Sequence, residues 1–147
     1  MPHGWAKYSR IHPRHVLHMG IALRQSHIDE LDDYLMRVSS PESKDYGKHW
    51  SYTEIAETFA PSQHTIMAVQ GWLVAAGIDK GRIRKSLSSG WLHFNATAGE
   101  AETLLRTEYH VYKHESTGQS HVACEAYHIP RCATMTIPVQ FQYSFEL

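Results

Sequence analysis

The strongest constraint on the fold is the order in which strand-like and helix-like patterns follow one another along the chain. Residues 14–23 are rich in apolar side chains that alternate between two faces, and they predict a first strand. Residues 28–39 then repeat apolar side chains at helical spacing, after Ser26 and Asp29 at the spacing of a capping box. The apolar positions of this predicted first helix are Ile28, Leu31, Leu35 and Val38.

A helical insertion and two hairpins complete the pattern. A loop of turn-forming residues separates the first helix from a short helix that begins after Ser51 and stops at Pro61. A longer helix is predicted between Ser62 and Gly77. Beyond it the sequence predicts a hairpin, a helix and a second hairpin, over residues 83–96, 98–105 and 108–126.

These elements predict an α+β domain of the ferredoxin-like class. Without the extra helices that follow the first helix, the order is β-α-β-β-α-β, an antiparallel sheet with helices on one face. Residues 1–13 hold two prolines and no sustained period, so we expect an irregular lead-in. A chain of 147 residues with 42% apolar side chains can bury the core of one such domain. The fold by itself identifies no function.

Charge and hydropathy argue against two classes of partner. The 15 acidic and 14 basic side chains nearly cancel, which leaves no basic excess for nucleic acid or for an anionic membrane surface. Residues 91–95 lack the aromatic and basic signature of an RNA-recognition sheet. No apolar run approaches the roughly 20 residues of a membrane helix. We therefore expect neither a nucleic-acid partner nor a membrane.

Motifs for catalysis or for a cofactor are missing from the sequence. Gly77 and Gly81 do not have the spacing of a phosphate-binding loop, and residues 88–90 are typical of a tight turn rather than of a nucleophile elbow. The carboxylates of residues 29–33 are typical of a solvated helix face. We expect no catalytic residue and no cofactor. Asn95 begins a glycosylation sequon, which has meaning only in a chain that crosses the secretory pathway.

Histidine is the unusual component of the composition. Twelve of the 147 residues are histidine. Since an imidazole in water has a pKa of about 6.5, the formal charge changes from −1 at pH 7 to about +11 near pH 4.5. This abundance fits a surplus of surface histidine, a functional response to acid, or metal binding. The candidate pH sensors are His18, His49, His93, His110 and His128.

Metal binding has less support than the other two interpretations. His110 and His114 fall on the same face of a predicted strand, about two pleats apart, which is too far for comfortable chelation. Cys124 and Cys132 are too few for a disulfide framework, and they either pair or stay free. We therefore predict no metal site.

Several spaced blocks of sequence carry a resemblance to a known family. One runs from Ser40-Pro41 through residues 46–49, Tyr-Gly-Lys-His, to residues 59–62, Phe-Ala-Pro-Ser. The full set of blocks lies at residues 23–62, 69–78, 91–118 and 125–130. Read together, and in this order, they resemble the activation prodomain of the sedolisin family of serine-carboxyl peptidases. The resemblance covers about residues 2–130, and the run after Pro130 does not match the usual prodomain end.

The resemblance implies a prodomain that folds as a ferredoxin-like domain, assists folding of a following catalytic domain, blocks its cleft and is cut off in acid. It implies no catalytic residue here, because the family's Ser-Glu-Asp residues belong to the domain that follows. The family is secreted or lysosomal, or vacuole-like, whereas the first 25 residues do not have the pattern of a signal peptide. The expected organisation is a lead-in over 1–13, a prodomain over 14–130 and a divergent tail over 131–147.

The expected partner is therefore a sedolisin catalytic domain, bound in cis within a precursor or in trans by a stand-alone inhibitor. A histidine-rich metal-binding protein is the remaining alternative. A sheet face or edge is the expected docking surface, because the helices cover the other face. A neutral imidazole buried against a partner is penalised once it protonates, and this gives the histidines a role in release.

Overall fold

In the part of the chain that the structure describes, seven strands form two antiparallel sheets. The computed structural model describes residues 4–129 and 141–144. The strands are β1 (Trp5–Arg10), β2 (Val16–Ala22), β3 (Arg84–Lys85), β4 (Trp91–Thr97), β5 (His110–His114), β6 (Ser120–Ala123) and β7 (Phe141–Ser144). The first sheet has four strands in the order β3-β4-β2-β7, and the second has three in the order β1-β5-β6.

Within residues 4–129, four α-helices lie between the strands: α1 (Leu31–Ser39), α2 (Tyr52–Thr58), α3 (Gln63–Ala75) and α4 (Ala98–Leu105). Short 3-10 helices occupy Ile28–Glu30 and Lys80–Arg82. Ser51 and Thr97 begin α2 and α4 with complete capping boxes, in which side chain and backbone satisfy each other's hydrogen bonds. Within the described part of the chain, no helix combines the length and apolar character that a membrane span needs.

The hydrophobic core lies between the four-stranded sheet and helices α3 and α4. β2 and β4 pair so that three buried apolar pairs share one face: Leu17 with Ala96, Met19 with Phe94, and Ile21 with Leu92. Ile66, Val69 and Leu73 of α3 and Ala101, Leu104 and Leu105 of α4 belong to the same buried cluster. This strand order, with helices on one face, confirms the predicted α+β, ferredoxin-like fold.

The helix that covers the sheet beside α4 is α3, not the first helix of the chain. The sequence assigns α3 to an insertion, but it supplies four buried residues, whereas α1 and α2 supply none. The predicted Ser26 cap is also wrong, because His27 stands at the start of the 3-10 helix with a left-handed backbone and no side-chain cap. The helices outside the sandwich are therefore α1 and α2.

An aromatic cluster holds α1 and α2 together. The Tyr34 ring of α1 lies 5.0 Å from the Trp50 ring and 6.0 Å from the Phe59 ring, measured between centroids. Asp45 of the intervening loop accepts hydrogen bonds from Arg37 and Lys48 at 3.0 and 3.1 Å. These two hydrogen bonds lower the pKa of Asp45, that from Lys48 more strongly. The block around Tyr46 that carries part of the resemblance thus contributes to this second, smaller packing unit.

The sequence predicts an irregular lead-in over residues 1–13, and this prediction is wrong for β1, which pairs with β5. The register shifts between Lys7 and Ser9, so a bulge at Tyr8 interrupts the alternation that would have identified a strand. Side chains support the pairing: Lys113 Nζ lies 3.6 Å from the centre of the Tyr8 ring.

The last strand of the ferredoxin-like sheet comes from an unexpected part of the chain. The predicted second hairpin exists as β5 and β6, but it pairs with β1 in the separate three-stranded sheet. The place beside β2 belongs to β7, within the predicted divergent tail of residues 131–147. Residues 131–140 and 145–147 of that tail lie outside the described residues, as does Cys132.

Candidate functional site

The candidate site is the face of the four-stranded sheet opposite α3 and α4, which we call the open face. Its residues on β2 are Val16, His18, Gly20 and Ala22, and those on β4 are Trp91, His93, Asn95 and Thr97. The strand alternation that buries Leu17 and Phe94 sends these residues to the other side. Val16, His18, His93 and Asn95 are exposed.

His18 and Asn95 form a cross-strand pair on the open face. They stand opposite each other in the register, and His18 Nδ1 lies 2.6 Å from Asn95 Oδ1. Because an amide oxygen only accepts hydrogen bonds, His18 donates through Nδ1. Asn95, the acceptor of the sequon, therefore lies on the open face rather than in a loop.

The imidazole ring of His93 on β4 lies over Gly20 of the neighbouring strand β2. Its ring stacks with the Trp91 ring at a centroid distance of 6.2 Å and an angle of 14°. Gly20 stands opposite His93, and a Cβ at Gly20 would come within 3.2 Å of His93 Nδ1. Glycine at this position leaves room for the imidazole. The open face thus presents two imidazoles and one indole on two paired strands, a mixed apolar and titratable surface.

The other three candidate pH sensors do not join this face. His49 is exposed in the loop between α1 and α2. The side chain of His110 is 14% exposed in the second sheet, with Nε2 4.0 Å from a carboxylate oxygen of Glu108. His128 is exposed near the end of α4, where its backbone N–H donates to the carbonyl of Leu105. The structure therefore brings together two of the five residues.

Sequence reasoning missed a second pair of imidazoles beside an indole. The rings of His114 and His121 lie 5.2 and 6.1 Å from the Trp5 ring, in edge-on geometry. The sequence does not predict strand β1, and the pairing of β1 with β5 is what places Trp5 beside the second hairpin. Among residues 4–129 and 141–144, no three His, Cys, Asp or Glu side chains are arranged as metal ligands.

An ion pair that the sequence did not predict fixes the start of α4 at the end of the sheet. Arg82 donates two hydrogen bonds to the two carboxylate oxygens of Glu100, at 3.1 and 2.8 Å. Glu100 also accepts from the backbone N–H of Thr97 at 2.7 Å. The hydrogen bonds from Arg82 and then Thr97 lower the pKa of Glu100 to about 2. A charged Glu100 thus ties the turn before β3 to the helix that follows β4.

A four-stranded sheet with helices on one face and two histidines on the other defines a small α+β domain of the ferredoxin-like class. The chain belongs to the family described as the pro-kumamolisin activation domain, whose sequence profile matches residues 3–139. This confirms the resemblance to sedolisin prodomains. The match also extends past residue 130, the boundary that the sequence predicts for the prodomain.

Its relatives are peptidases of much greater length. The chain is 43% identical over 130 residues to tripeptidyl-peptidase sed1 of Aspergillus fumigatus, which covers 88% of this chain and 20% of that protein. It is 42% identical over 128 residues to aorsin of Aspergillus oryzae, with coverages of 86% and 19%. With human tripeptidyl-peptidase 1 the identity is 35% over 115 residues, with coverages of 76% and 20%. The chain thus spans about a fifth of the length of these curated relatives.

Proposed function

We propose that this chain is a non-catalytic prodomain that assists the folding of a sedolisin-type peptidase domain, inhibits it and leaves it in acid. The observation that carries the proposal is the match to an activation domain over residues 3–139, in a chain that spans about a fifth of its peptidase relatives. The residues that catalyse peptide cleavage then belong to the peptidase domain.

The open face supports this role as the docking surface. Helices α3 and α4 already pack on the opposite face, so a partner would meet the exposed side chains of β2 and β4 on this one. Trp91 supplies apolar area, and His18 and His93 supply polar groups that a partner covers in their neutral form. A glycan on Asn95 would stand among these residues, so the proposed function requires an unmodified Asn95.

Inhibition in trans tests the proposal. The purified full chain is added to the mature catalytic domain of a sedolisin-type tripeptidyl-peptidase, and release of tripeptides is measured between about pH 3.5 and 7. We expect tight inhibition at the upper end that weakens as the pH falls. A variant of the catalytic domain that lacks its nucleophile cannot cleave peptides. Binding of the chain to this variant therefore gives the affinity at pH values where the activity assay gives no signal. A folded chain that neither inhibits nor binds at any pH would contradict the proposal.

The double variant His18→Ala/His93→Ala tests how release is coupled to acid. If a partner buries both imidazoles in their neutral form, acid weakens binding, because a charged imidazole is penalised where it is buried. We expect the Kd of the original chain to rise at least about tenfold between pH 6.5 and 4.5, and that of the variant to change much less. Calorimetric titration at several pH values measures both.

The matched control is His64→Ala/His128→Ala, which removes two exposed histidines that lie on α3 and beside the end of α4. This variant keeps the open face intact, so its binding should depend on pH as the original chain does. If the control variant loses the pH dependence and the open-face variant retains it, the acid response does not come from His18 and His93.

A further inference from the structure

Strand β3 places a permanent positive charge beside the open face. Arg84 stands opposite His93 in the antiparallel register, and residues directly opposite each other project from the same side of a sheet. His93 in turn stands opposite Gly20, so the three residues form one row across β3, β4 and β2. Arg84 is exposed, and a guanidinium does not lose its proton in proteins. The row therefore ends in a charge that acid neither adds nor removes.

The charge of Arg84 has no counterion in the part of the chain that the structure describes. Three other arginines, Arg10, Arg37 and Arg82, each contact a carboxylate oxygen, at 3.1, 3.0 and 2.8 Å. The open-face positions of β2 and β4 hold no aspartate or glutamate. The open face therefore does not neutralise the guanidinium beside it.

A partner that covers His93 also meets Arg84. Side chains directly opposite each other in an antiparallel pair have Cβ atoms about 5 Å apart, so a surface that encloses the imidazole reaches the arginine as well. Burial of a charge without a counterion strongly opposes binding. A carboxylate removes this penalty, because it accepts two parallel hydrogen bonds from a guanidinium. The proposed burial of His93 thus requires a carboxylate on the partner.

Charge also argues against two other occupants of this surface. A second copy bound open face to open face would bring two guanidinium groups into the interface, and no carboxylate from the open-face positions of β2 and β4. A polyanion needs several cations on one surface. Lys85, the other residue of β3, stands opposite the buried Leu92 and so projects from the other side of the sheet. An acidic protein surface therefore fits this face better than either.

We infer that Arg84 is a specificity-determining residue of the docking surface, and that the peptidase surface that covers the open face places an aspartate or glutamate against it. The inference rests on the proposed function. An ion pair at one end of the row fixes how the partner lies across β2 and β4, which apolar contact with Trp91 alone would not do. A partner with a neutral or basic surface at this point leaves the guanidinium unpaired and is rejected.

The test compares Arg84→Glu with the control Lys44→Glu, since both replace a positive by a negative charge. Lys44 is exposed in the loop between α1 and α2 and does not belong to the open face. Stopped-flow measurements at pH 7 follow binding to the mature catalytic domain of a sedolisin-type tripeptidyl-peptidase that lacks its nucleophile. We expect Arg84→Glu to bind at least about tenfold more weakly than the original chain, and the control to stay within about twofold.

Arg84→Gln separates loss of the ion pair from new repulsion. It removes the positive charge without adding a negative one, so it should also bind more weakly than the original chain, and its association should depend less on salt concentration. Circular dichroism and Tm show whether each variant keeps the fold. If Arg84→Glu is unstable, Arg84→Gln decides alone. A folded Arg84→Gln variant with unchanged affinity and salt dependence would overturn the inference.

The outcomes distinguish this inference from the proposed function. If the original chain binds and the Arg84 variants bind equally well, the inference fails and the proposed function stands. If the original chain does not bind at all, both fail. Equal weakening by Lys44→Glu would also overturn the inference, because the effect would then come from the net charge of the chain. So would a dimer in sedimentation that Arg84→Glu makes monomeric, because it would assign the surface to a second copy.

Discussion

Leu73→Ala is expected to lower the free energy of unfolding by about 2–5 kcal/mol, because it leaves a cavity between α3 and the sheet. Leu73 is 0% exposed and belongs to the buried cluster that contains Met19, Phe94 and Leu105. Leu35→Ala on α1 removes the same atoms from a residue that is 57% exposed. Its effect should remain within about 0.5 kcal/mol, as for other surface positions. Urea unfolding followed by circular dichroism measures both values.

This pair of variants tests which helix covers the ferredoxin-like sheet. The two substitutions are chemically identical and both lie within helices, so the difference between them reports burial rather than helix propensity. Equal losses of stability would mean that α1 packs on the sheet and that the assignment of α3 is wrong.

Glu100→Gln is expected to remove a component of stability that acid also removes. The folded-state pKa of Glu100 is about 2, below its ordinary value of 4.5, so the charged form stabilises the fold. This contribution is fully present above about pH 4.5 and is lost as the pH falls towards 2. The Arg82 and Glu100 side chains are 35% and 31% exposed, and solvent screening reduces the contribution to about 1–2 kcal/mol.

The measurement is urea unfolding of the original chain and of Glu100→Gln at about pH 6 and 3. The original chain should be more stable than the variant at the higher pH, and the difference should be clearly smaller at the lower pH, because the contribution of Glu100 disappears fully only below its folded-state pKa of about 2. Glu57→Gln, on the exposed surface of α2, controls for the loss of one carboxylate. A difference between the original chain and Glu100→Gln that stays constant with pH would mean that the ion pair with Arg82 does not stabilise the fold.

The two acid effects occupy different pH ranges. The proposed release in acid depends on imidazole protonation, which in water occurs around pH 6.5, whereas the contribution of Glu100 is lost only as the pH falls below about 4.5. A prodomain with both features would leave its partner before this ion pair is lost.

Local patterns in the sequence predicted the elements well where the determinants are local. Strand β2 lies within the predicted 14–23, and the capping boxes at Ser51 and Thr97 form as expected. The exchange of roles between α1 and α3 was not predictable, because helical spacing identifies an apolar face but not what it packs against. The Ile28, Leu31 and Leu35 pattern is as regular as that of Ile66, Val69 and Leu73, yet only the second set is buried.

The open face was predictable only in part. Alternation places His18 with Gly20 on one face of β2, and the same rule places His93 with Asn95 on β4. That His18 stands opposite Asn95, and His93 opposite Gly20, follows from the pairing register. Register depends on contacts between segments far apart in the sequence, which no single-strand pattern contains.

The pairing of β2 with β7 also determines how late the sheet can be completed. His18 stands opposite Ser144, so a strand near the start of the chain waits for one near the end of the described residues. Such non-local pairing closes a long loop and slows folding. While the chain is being synthesised, β2 keeps one row of backbone donors and acceptors without its final neighbour, even after β4 has paired with it. The nascent chain therefore carries an edge strand that invites aggregation until residues 141–144 have left the ribosome.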